Sequence, residues 1–249
     1  MEELDLEEPE ARGPQRFVRF SLSQRLEHLV LMLIFLALVL TGLPQRFYDH
    51  PWSQWTVLHL GGIDNTRFLH RTFALVFMGQ ALYHLVTVVH LATRGRLRPT
   101  IVPTLKDVSD AWQMLRYSLG VAEERPKFDR YTYGQKFEYW GIISGGMVMI
   151  ITGLFLWFPL VVTRALPGEV VAAAKEAHGN EALLALLVIV VWHLYAVLLS
   201  PAFFPGDYSI FTGYISKHRM REEHPLEYLR LTASANSSLQ KEVRGDALA

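Results

Sequence analysis

Four long apolar windows constrain this chain more than any other feature of its sequence. They cover residues 29–43, 69–91, 140–162 and 182–199 and are almost free of charged side chains. A helix needs about 20 apolar residues to cross the hydrocarbon core of a bilayer, and these windows reach or approach that length. The first window is short, but apolar residues extend it back through Leu26 and Leu22 and forward to Phe47. The sequence therefore predicts an all-α membrane protein, a bundle of four transmembrane helices.

The distribution of basic residues predicts how these helices are oriented. Four arginines precede the first window, nine basic residues lie between Arg94 and Lys136, and six lie in the C-terminal tail. The loop between the third and fourth windows has only Arg164 and Lys175. Basic residues concentrate in cytoplasmic segments, so both termini and the long middle segment are expected in the cytoplasm.

The remaining segments divide the chain into three parts. Residues 1–16 are expected to be a disordered acidic tail; the first ten residues carry six carboxylates, which also excludes a signal peptide with a basic start. Residues 17–231 form the four-helix domain. Within it, residues 103–120 have apolar side chains at helical spacing, which predicts an amphipathic helix on the membrane surface. Residues 232–249 are expected to be a flexible tail.

The chain has ten histidines and no cysteine. Without cysteine, it cannot hold an iron–sulfur cluster, a thiolate metal site or a covalently attached c-type haem. Half of the histidines lie in the apolar windows or at their ends, where ionisable side chains are costly and usually functional. Any redox cofactor of this chain is therefore expected to be held by histidine.

The histidine spacings predict two levels of facing rings. His70 and His84 are fourteen residues apart in the second window, which places them on one helix face with a rise of about 21 Å between them. His178 and His193 are fifteen residues apart in the fourth span, which starts shortly before its apolar window and runs in the same direction; His28, just before the first window, lies at the depth of His193. Two stacked b-type haems, each with two imidazole ligands, need this arrangement. The spacing leaves open whether His28 or His84 pairs with His193.

Other classes of protein also place histidines inside membrane helices. A single such histidine often only bonds one helix to another. In a four-helix transporter subunit, histidines relay protons or bind a metal, and polar residues are expected on several helix faces. A free-standing di-haem transmembrane reductase would pass electrons to an acceptor without a soluble partner. The near absence of other charges in the windows favours haem ligation.

Several segments resemble a known family. They are RLEHLVLMLIFLALVLTGL at residues 25–43, FLHRTFA at 68–74, YGQKFEYWGIISGGMVMIITGLFLW at 133–157, and AHGNEA with WHLY in the fourth window. Together they resemble the cytochrome b subunits of membrane-bound formate dehydrogenases, nickel–iron hydrogenases and thiosulfate reductases. The resemblance covers about residues 17–231.

The resemblance implies the haem ligands. It assigns His70 and His178 to a haem on the periplasmic side and His28 and His193 to one on the cytoplasmic side. His84 is outside the family's pattern and is kept as an alternative ligand, a supporting residue or a proton carrier. Arg67 and Arg71 flank His70 in sequence and are candidate partners for haem propionates, because guanidinium binds carboxylate through two hydrogen bonds.

The resemblance also implies a quinone site beside the cytoplasmic haem, bordered by the loop that enters the third window. In this loop Gln135 offers a hydrogen-bond donor and Lys136 a positive charge, while Thr132 stands where the family's pattern has asparagine. The exchangeable substrate would be menaquinone or ubiquinone.

The implied function is that of a membrane-anchoring di-haem cytochrome b subunit in the cytoplasmic membrane of a bacterium or archaeon. It would carry electrons between the quinone pool and an iron–sulfur subunit that serves a separate catalytic subunit. It would therefore contact membrane lipid and no nucleic acid. The sequence leaves open the substrate of the complex, the direction of electron flow, the type of quinone and any oligomer of the whole complex.

Overall fold

The computed structural model describes residues 16–96, 98–200 and 204–234. Within these residues, four helices are long and apolar enough to cross a membrane. They are α1 (Leu22–Arg46), α3 (Ile63–Thr93), α5 (Tyr133–Trp157) and a fourth span, Glu169–Leu199, whose first part is α7 (Glu169–Leu187). Helix α1 packs along α3, and α5 packs along α7. The predicted all-α bundle of four transmembrane helices is confirmed.

Helices α1 and α5 begin with the same capping arrangement. The Ser21 hydroxyl accepts a hydrogen bond from the backbone of Gln24, whose side chain accepts one from the backbone of Ser21. Thr132 and Gln135 repeat this exchange at the start of α5. Each box satisfies two backbone N–H groups that a helix start otherwise leaves unpaired, so it fixes where the helix begins.

The end of the bundle that carries the short helices α2 (Pro51–His59) and α6 (Pro159–Val162) is called the loop face here. The chain returns from α2 into α3 through Gly61 and Gly62, whose φ angles are 89° and 93°. Only glycine adopts such angles without steric cost, so this turn depends on the two glycines.

The opposite end, called the terminal face, carries the remaining elements. Strand β1 (Arg16–Val18) pairs antiparallel with β2 (Tyr214–Ser216), with Phe17 opposite Ile215. The helices at this face are α4 (Leu105–Ser118), α8 (Ser209–Thr212), α9 (Lys217–Glu223) and α10 over residues 225–234. Helix α4 occupies the segment that the sequence predicts to be amphipathic, and its apolar side chains Leu105, Val108, Trp112 and Leu115 are exposed.

The two predicted tails lie largely outside the described residues. Of residues 1–16, only Arg16 is described, and it forms the first residue of β1. Of residues 232–249, only 232–234 are described, and they continue α10.

A buried ion network joins distant parts of the chain at the terminal face. Arg19 and Arg130 donate to the two oxygens of the Glu227 carboxylate over 3.1 and 2.8 Å. Arg130 also donates to the backbone carbonyl of Arg19 over 2.6 Å. Arg19 and Glu227 are each 3% exposed. Removing one partner of a buried ion pair leaves the other charge unpaired and is strongly destabilising. We call these three residues, together with β1 and β2, the terminal cap.

Candidate functional site: two histidine pairs

The bundle brings four histidines together as two pairs. At the loop face, His70 of α3 and His178 of α7 have ring centroids 6.3 Å apart. At the terminal face, His28 of α1 and His193 of the fourth span have ring centroids 6.2 Å apart. The His70–His178 pair joins α3 to α7, and the His28–His193 pair joins α1 to the later part of the fourth span.

These distances match a specific chemistry. An imidazole nitrogen lies about 2.0 Å from a bound transition metal, with its ring centre about 1.2 Å further away, so two rings on opposite sides of one metal have centroids about 6.4 Å apart. Both pairs come within a few tenths of an ångström of that separation. Each pair therefore suits one metal ion with two axial imidazoles. In the described parts of the chain, no cluster of three or more His, Cys, Asp or Glu side chains forms a metal site of another kind.

A threonine fixes the protonation of His70. The Thr41 hydroxyl donates its only hydrogen to the carbonyl of Ala37 over 2.7 Å, and its oxygen lies 2.9 Å from Nδ1 of His70. Because that hydrogen is already used, the threonine oxygen must accept the Nδ1–H of the imidazole. Nε2 of His70 is then left with a free lone pair, which is the form that binds a metal.

The same arrangement holds His178. The Thr152 hydroxyl donates to the carbonyl of Val148 over 2.6 Å and lies 2.9 Å from Nδ1 of His178. In each case the residue after the threonine is glycine. A Cβ atom on Gly42 would lie 3.0 Å from Cε1 of His70, and one on Gly153 would lie 3.2 Å from Cε1 of His178. The Thr-Gly pairs therefore both hold the rings and provide the space for them.

A carboxylate supports the terminal-face pair. Glu138 of α5 accepts from Nδ1 of His193 over 3.2 Å, which again leaves Nε2 free. His84 is arranged differently: its Nδ1 lies 2.8 Å from Glu27, and its Nε2 lies 2.9 Å from the Tyr139 hydroxyl. The structure therefore brings His28, and not His84, beside His193.

The fifteen-residue spacing in the fourth span is accommodated by a change of helix type. In an α-helix, fifteen residues would turn His193 about 60° past the face of His178. After α7 the chain forms π-helical turns at Val188–His193 and Tyr195–Leu199. A π turn holds more residues than an α turn, so each residue rotates the chain less. The π-helix thus returns His193 to the face that carries His178.

The first turn of α5 lies near the part of the fourth span that carries His193. A Cβ atom on Gly134 would lie 3.8 Å from Cζ2 of Trp192, the neighbour of His193. Thr132 and Gln135 form the capping box of α5, and the Gln135 side chain is exposed. Lys136 is buried and donates to Asp107 of α4 over 2.9 Å. Burial raises the pKa of Asp107, but hydrogen bonds from Lys136 and Thr104 outweigh it and lower this pKa overall.

The predicted arginines lie on the outer surface of α3, where they line a groove with Trp157. Arg71 stacks over the Trp157 ring at 5.3 Å, and the exposed Arg67 lies 3.7 Å from Asp64. Sequence reasoning missed a third arginine. Arg46 ends α1, donates to Asn180 over 2.8 Å and lies close to the residues that follow His178. Its position at the end of the first span was the available signal.

With this geometry in view, the comparison with protein families decides the class of the protein. The sequence pattern of the prokaryotic cytochrome b561 family matches residues 13–205. This chain belongs to that family. As a prokaryotic cytochrome b561 it is a multi-pass membrane cytochrome b that binds haem b and takes part in electron transfer. The predicted family resemblance is thereby confirmed.

Three cytochrome b subunits are similar to this chain over most of their length. The chain is 23% identical over 211 residues to the cytochrome b556(Fdn) subunit of the nitrate-inducible formate dehydrogenase of Escherichia coli strain K12, covering 85% of this chain and 89% of the relative. The same values hold for that subunit in Shigella flexneri. The cytochrome b556(fdo) subunit of formate dehydrogenase from strain K12 is also 23% identical over 211 residues, which is 85% of this chain and 91% of that subunit.

Proposed function

We propose that this cytochrome b holds two haems and serves as the membrane subunit of a respiratory oxidoreductase complex, carrying electrons between its partners and quinone. The observation that carries the proposal is the presence of two histidine pairs, one at each face, with ring centroids 6.3 and 6.2 Å apart. Two such pairs at two depths suit two irons stacked across the bilayer.

The donor set fits haem at both positions. His70 and His178 would hold one haem, and His28 and His193 the other. When bound, each haem iron supplies one-electron transfer. The protein's contribution is to orient the rings: Thr41 and Thr152 fix the loop-face imidazoles, and Glu138 fixes His193. Such supporting hydrogen bonds set both the tautomer and the basicity of a ligand.

Arginines at the loop face would neutralise the carboxylates of the haem there. Arg71 follows His70 directly, and Arg46 lies against the residues after His178. We assign the propionate contacts to these two guanidinium groups, which pair with carboxylates bidentately. Arg67 already has Asp64 as a partner and is assigned a secondary role.

We propose that the terminal face lies in the cytoplasm, as the basic residues predict. Quinone reduced there takes up protons from the cytoplasm, so electrons that arrive from the other side build a membrane potential. The relatives are named as subunits of formate dehydrogenases. By analogy we propose an iron–sulfur subunit and a catalytic subunit as the partners of this chain.

We place the quinone, menaquinone or ubiquinone, beside the loop at the start of α5. A Cβ atom on Gly134, in the first turn of α5, would lie 3.8 Å from Trp192, the neighbour of His193, and the Gln135 side chain is exposed. Gln135 uses its carbonyl oxygen in the capping box, which leaves its amide N–H groups for a quinone carbonyl. Thr132 sets the position of Gln135 through the same box. Lys136, bound to Asp107, holds α4 against this site.

Haem counting tests the ligand assignment. Pyridine haemochrome analysis of the purified chain should give about two haems per chain. His28→Leu should give one haem, because it removes an axial ligand. His84→Leu is the matched control at the same depth and should keep both haems. Loss of a haem in His84→Leu with retention of both in His28→Leu would refute the pairing of His28 with His193.

A matched pair of variants tests the quinone site. Gln135→Leu should slow electron transfer between haem and quinone while both haem spectra stay unchanged. Gln24→Leu removes the equivalent capping glutamine of α1 and should leave this transfer at the wild-type rate. Stopped-flow oxidation of the reduced haems by a soluble quinone analogue measures both. Equal rates in the two variants would mean that Gln135 only caps its helix.

A further inference from the structure

The first and third membrane helices form an internal repeat. Helices α1 and α5 are both 25 residues long, and at one constant offset they share capping boxes, a Thr-Gly-Leu segment and a closing aromatic residue. The matched residues, in order, are Ser21 with Thr132, Gln24 with Gln135, Arg25 with Lys136, Glu27 with Glu138, Thr41 with Thr152, Gly42 with Gly153, Leu43 with Leu154, and Phe47 with Phe158.

The contacts at the loop face repeat with the residues. The Thr41 hydroxyl lies 2.9 Å from Nδ1 of His70 in α3, and the Thr152 hydroxyl lies at the same distance from Nδ1 of His178 in α7. The two helical hairpins, α1 with α3 and α5 with the fourth span, are therefore equivalent in structure at this face.

At the terminal face the repeat continues through the carboxylates. Glu27 binds Nδ1 of His84 at 2.8 Å, and Glu138 binds Nδ1 of His193 at 3.2 Å. His84 is thus the counterpart of His193. His178 and His193 are one residue further apart than His70 and His84, and the π-helical turns accommodate this additional residue.

One position breaks the repeat. The position that His28 holds in α1 is held in α5 by Tyr139. His28 faces His193, and Tyr139 faces His84 with ring centroids 5.9 Å apart. Helices α1 and α5 therefore each place one aromatic ring against a histidine in the second helix of the other hairpin. The ring from α1 is the imidazole of His28, whereas the ring from α5 is the phenol of Tyr139.

We propose that His84 and Tyr139 form a second haem-ligand position at the terminal face, which Tyr139 keeps closed. The proposal rests on the proposed function, because it takes His28 and His193 as the ligand pair in use. In the native chain Tyr139 would thus determine which pair holds the haem.

The hydrogen bonds around His84 explain both the closure and how to reverse it. Glu27 occupies Nδ1 of His84, which leaves Nε2 as the nitrogen that could bind iron, as in His193. In the native chain the Tyr139 hydroxyl occupies that nitrogen over 2.9 Å. Tyr139→His removes the phenol and puts an imidazole at the position that matches His28 in the repeat.

The test uses the full chain without His28, because a four-helix bundle has room for one porphyrin at each level. The wild type should contain two haems and His28→Leu one. His28→Leu/Tyr139→His should return to two, with the visible and EPR spectra of a low-spin bis-histidine haem. His28→Leu/Tyr139→Phe, which removes the hydroxyl without adding a ligand, should stay at one.

A further variant identifies the partner of the introduced ring. Adding His84→Leu to His28→Leu/Tyr139→His should remove the regained haem, whereas survival of that haem would assign it to His193 and overturn the proposal. The loop-face haem reports folding in every variant. One haem, or none, in His28→Leu/Tyr139→His would also overturn the proposal. If the wild type lacks two haems or His28→Leu loses none, the proposed function fails instead.

Discussion

Replacing Thr152 by valine removes the hydroxyl that supports His178 and puts a methyl group of similar size in its place. The valine keeps the shape of the side chain but cannot accept the Nδ1–H that lies 2.9 Å from the threonine oxygen. The ring then loses this hydrogen bond and is held less firmly in its orientation and tautomer. Nε2 is less reliably presented as the free nitrogen, so the loop-face haem should bind more weakly.

The size of the effect follows from that single bond. A buried donor left without a partner costs about 1–3 kcal/mol. Loss of a hydrogen bond that supports a metal-binding histidine typically lowers metal affinity about 10–100-fold, which agrees with this range. Thr152→Val should therefore weaken the loop-face haem by about 2 kcal/mol, or roughly 30-fold. The terminal-face haem, held by His28 and His193, should be unaffected.

Transfer of haem to excess apomyoglobin measures this loss, followed separately for the two haems by their spectra. Thr41→Val should act in the same way through His70. The control is Thr72→Val: this hydroxyl also donates to a carbonyl one turn back, over 2.9 Å to Phe68, but contacts no histidine. Equal haem retention in Thr152→Val and Thr72→Val would refute the role of threonine in holding the ligand.

Two further predictions concern space and pH. Gly42→Ala and Gly153→Ala should each weaken the loop-face haem, because the new Cβ would lie 3.0 or 3.2 Å from a histidine ring; Gly79→Ala, in open space, should not, and haem transfer again distinguishes them. His224, which ends α9, donates from Nδ1 to the carbonyl of Asp129 over 2.7 Å beside the arginines of the terminal cap. Burial lowers the pKa of His224 from 6.5 to about 4, so the open cap binds a proton more readily and the closed cap loses up to about 3 kcal/mol as pH falls between these values. Hydrogen exchange of the β1 amides should accelerate over that window, and much less in His224→Gln.

The number of membrane helices was predictable because hydropathy reports burial in hydrocarbon. Their ends were not. Helix α3 begins at Ile63 and α7 at Glu169, both well before the apolar windows, and α1 continues through Pro44. These extensions carry polar residues, so hydropathy gives no signal there, and caps and neighbouring helices decide where each helix ends.

The two levels of histidine followed from helix rise, which depends on spacing alone. The choice between His28 and His84 did not, because both lie at the same depth and differ only in the direction they face. That direction depends on packing between helices and on partners such as Glu27 and Tyr139, which bind both nitrogens of His84. Similarly, β1 and β2 lie at opposite ends of the chain, and no local pattern predicts that they pair.

The internal repeat was hidden for a related reason. A search guided by histidine spacing compares the second and fourth spans. The stronger repeat links the first and third, where the only intramembrane histidine, His28, is matched by Tyr139. Its signals are instead Gln24, Glu27 and the Thr-Gly-Leu segment, whose meaning depends on the contacts they make.

The order of translation determines when the terminal cap can close. Arg19 and Arg130 are translated long before Glu227, so until then two guanidinium groups lack the carboxylate that they share. At about 5–20 residues per second, roughly 100 further residues delay closure by about 5–20 s. During that interval α5 and the fourth span are made while the strand pair at the terminal face is still open. Glu227, in α10, therefore closes the terminal cap, and a nascent chain stopped before Glu227 would leave the ribosome with this cap open.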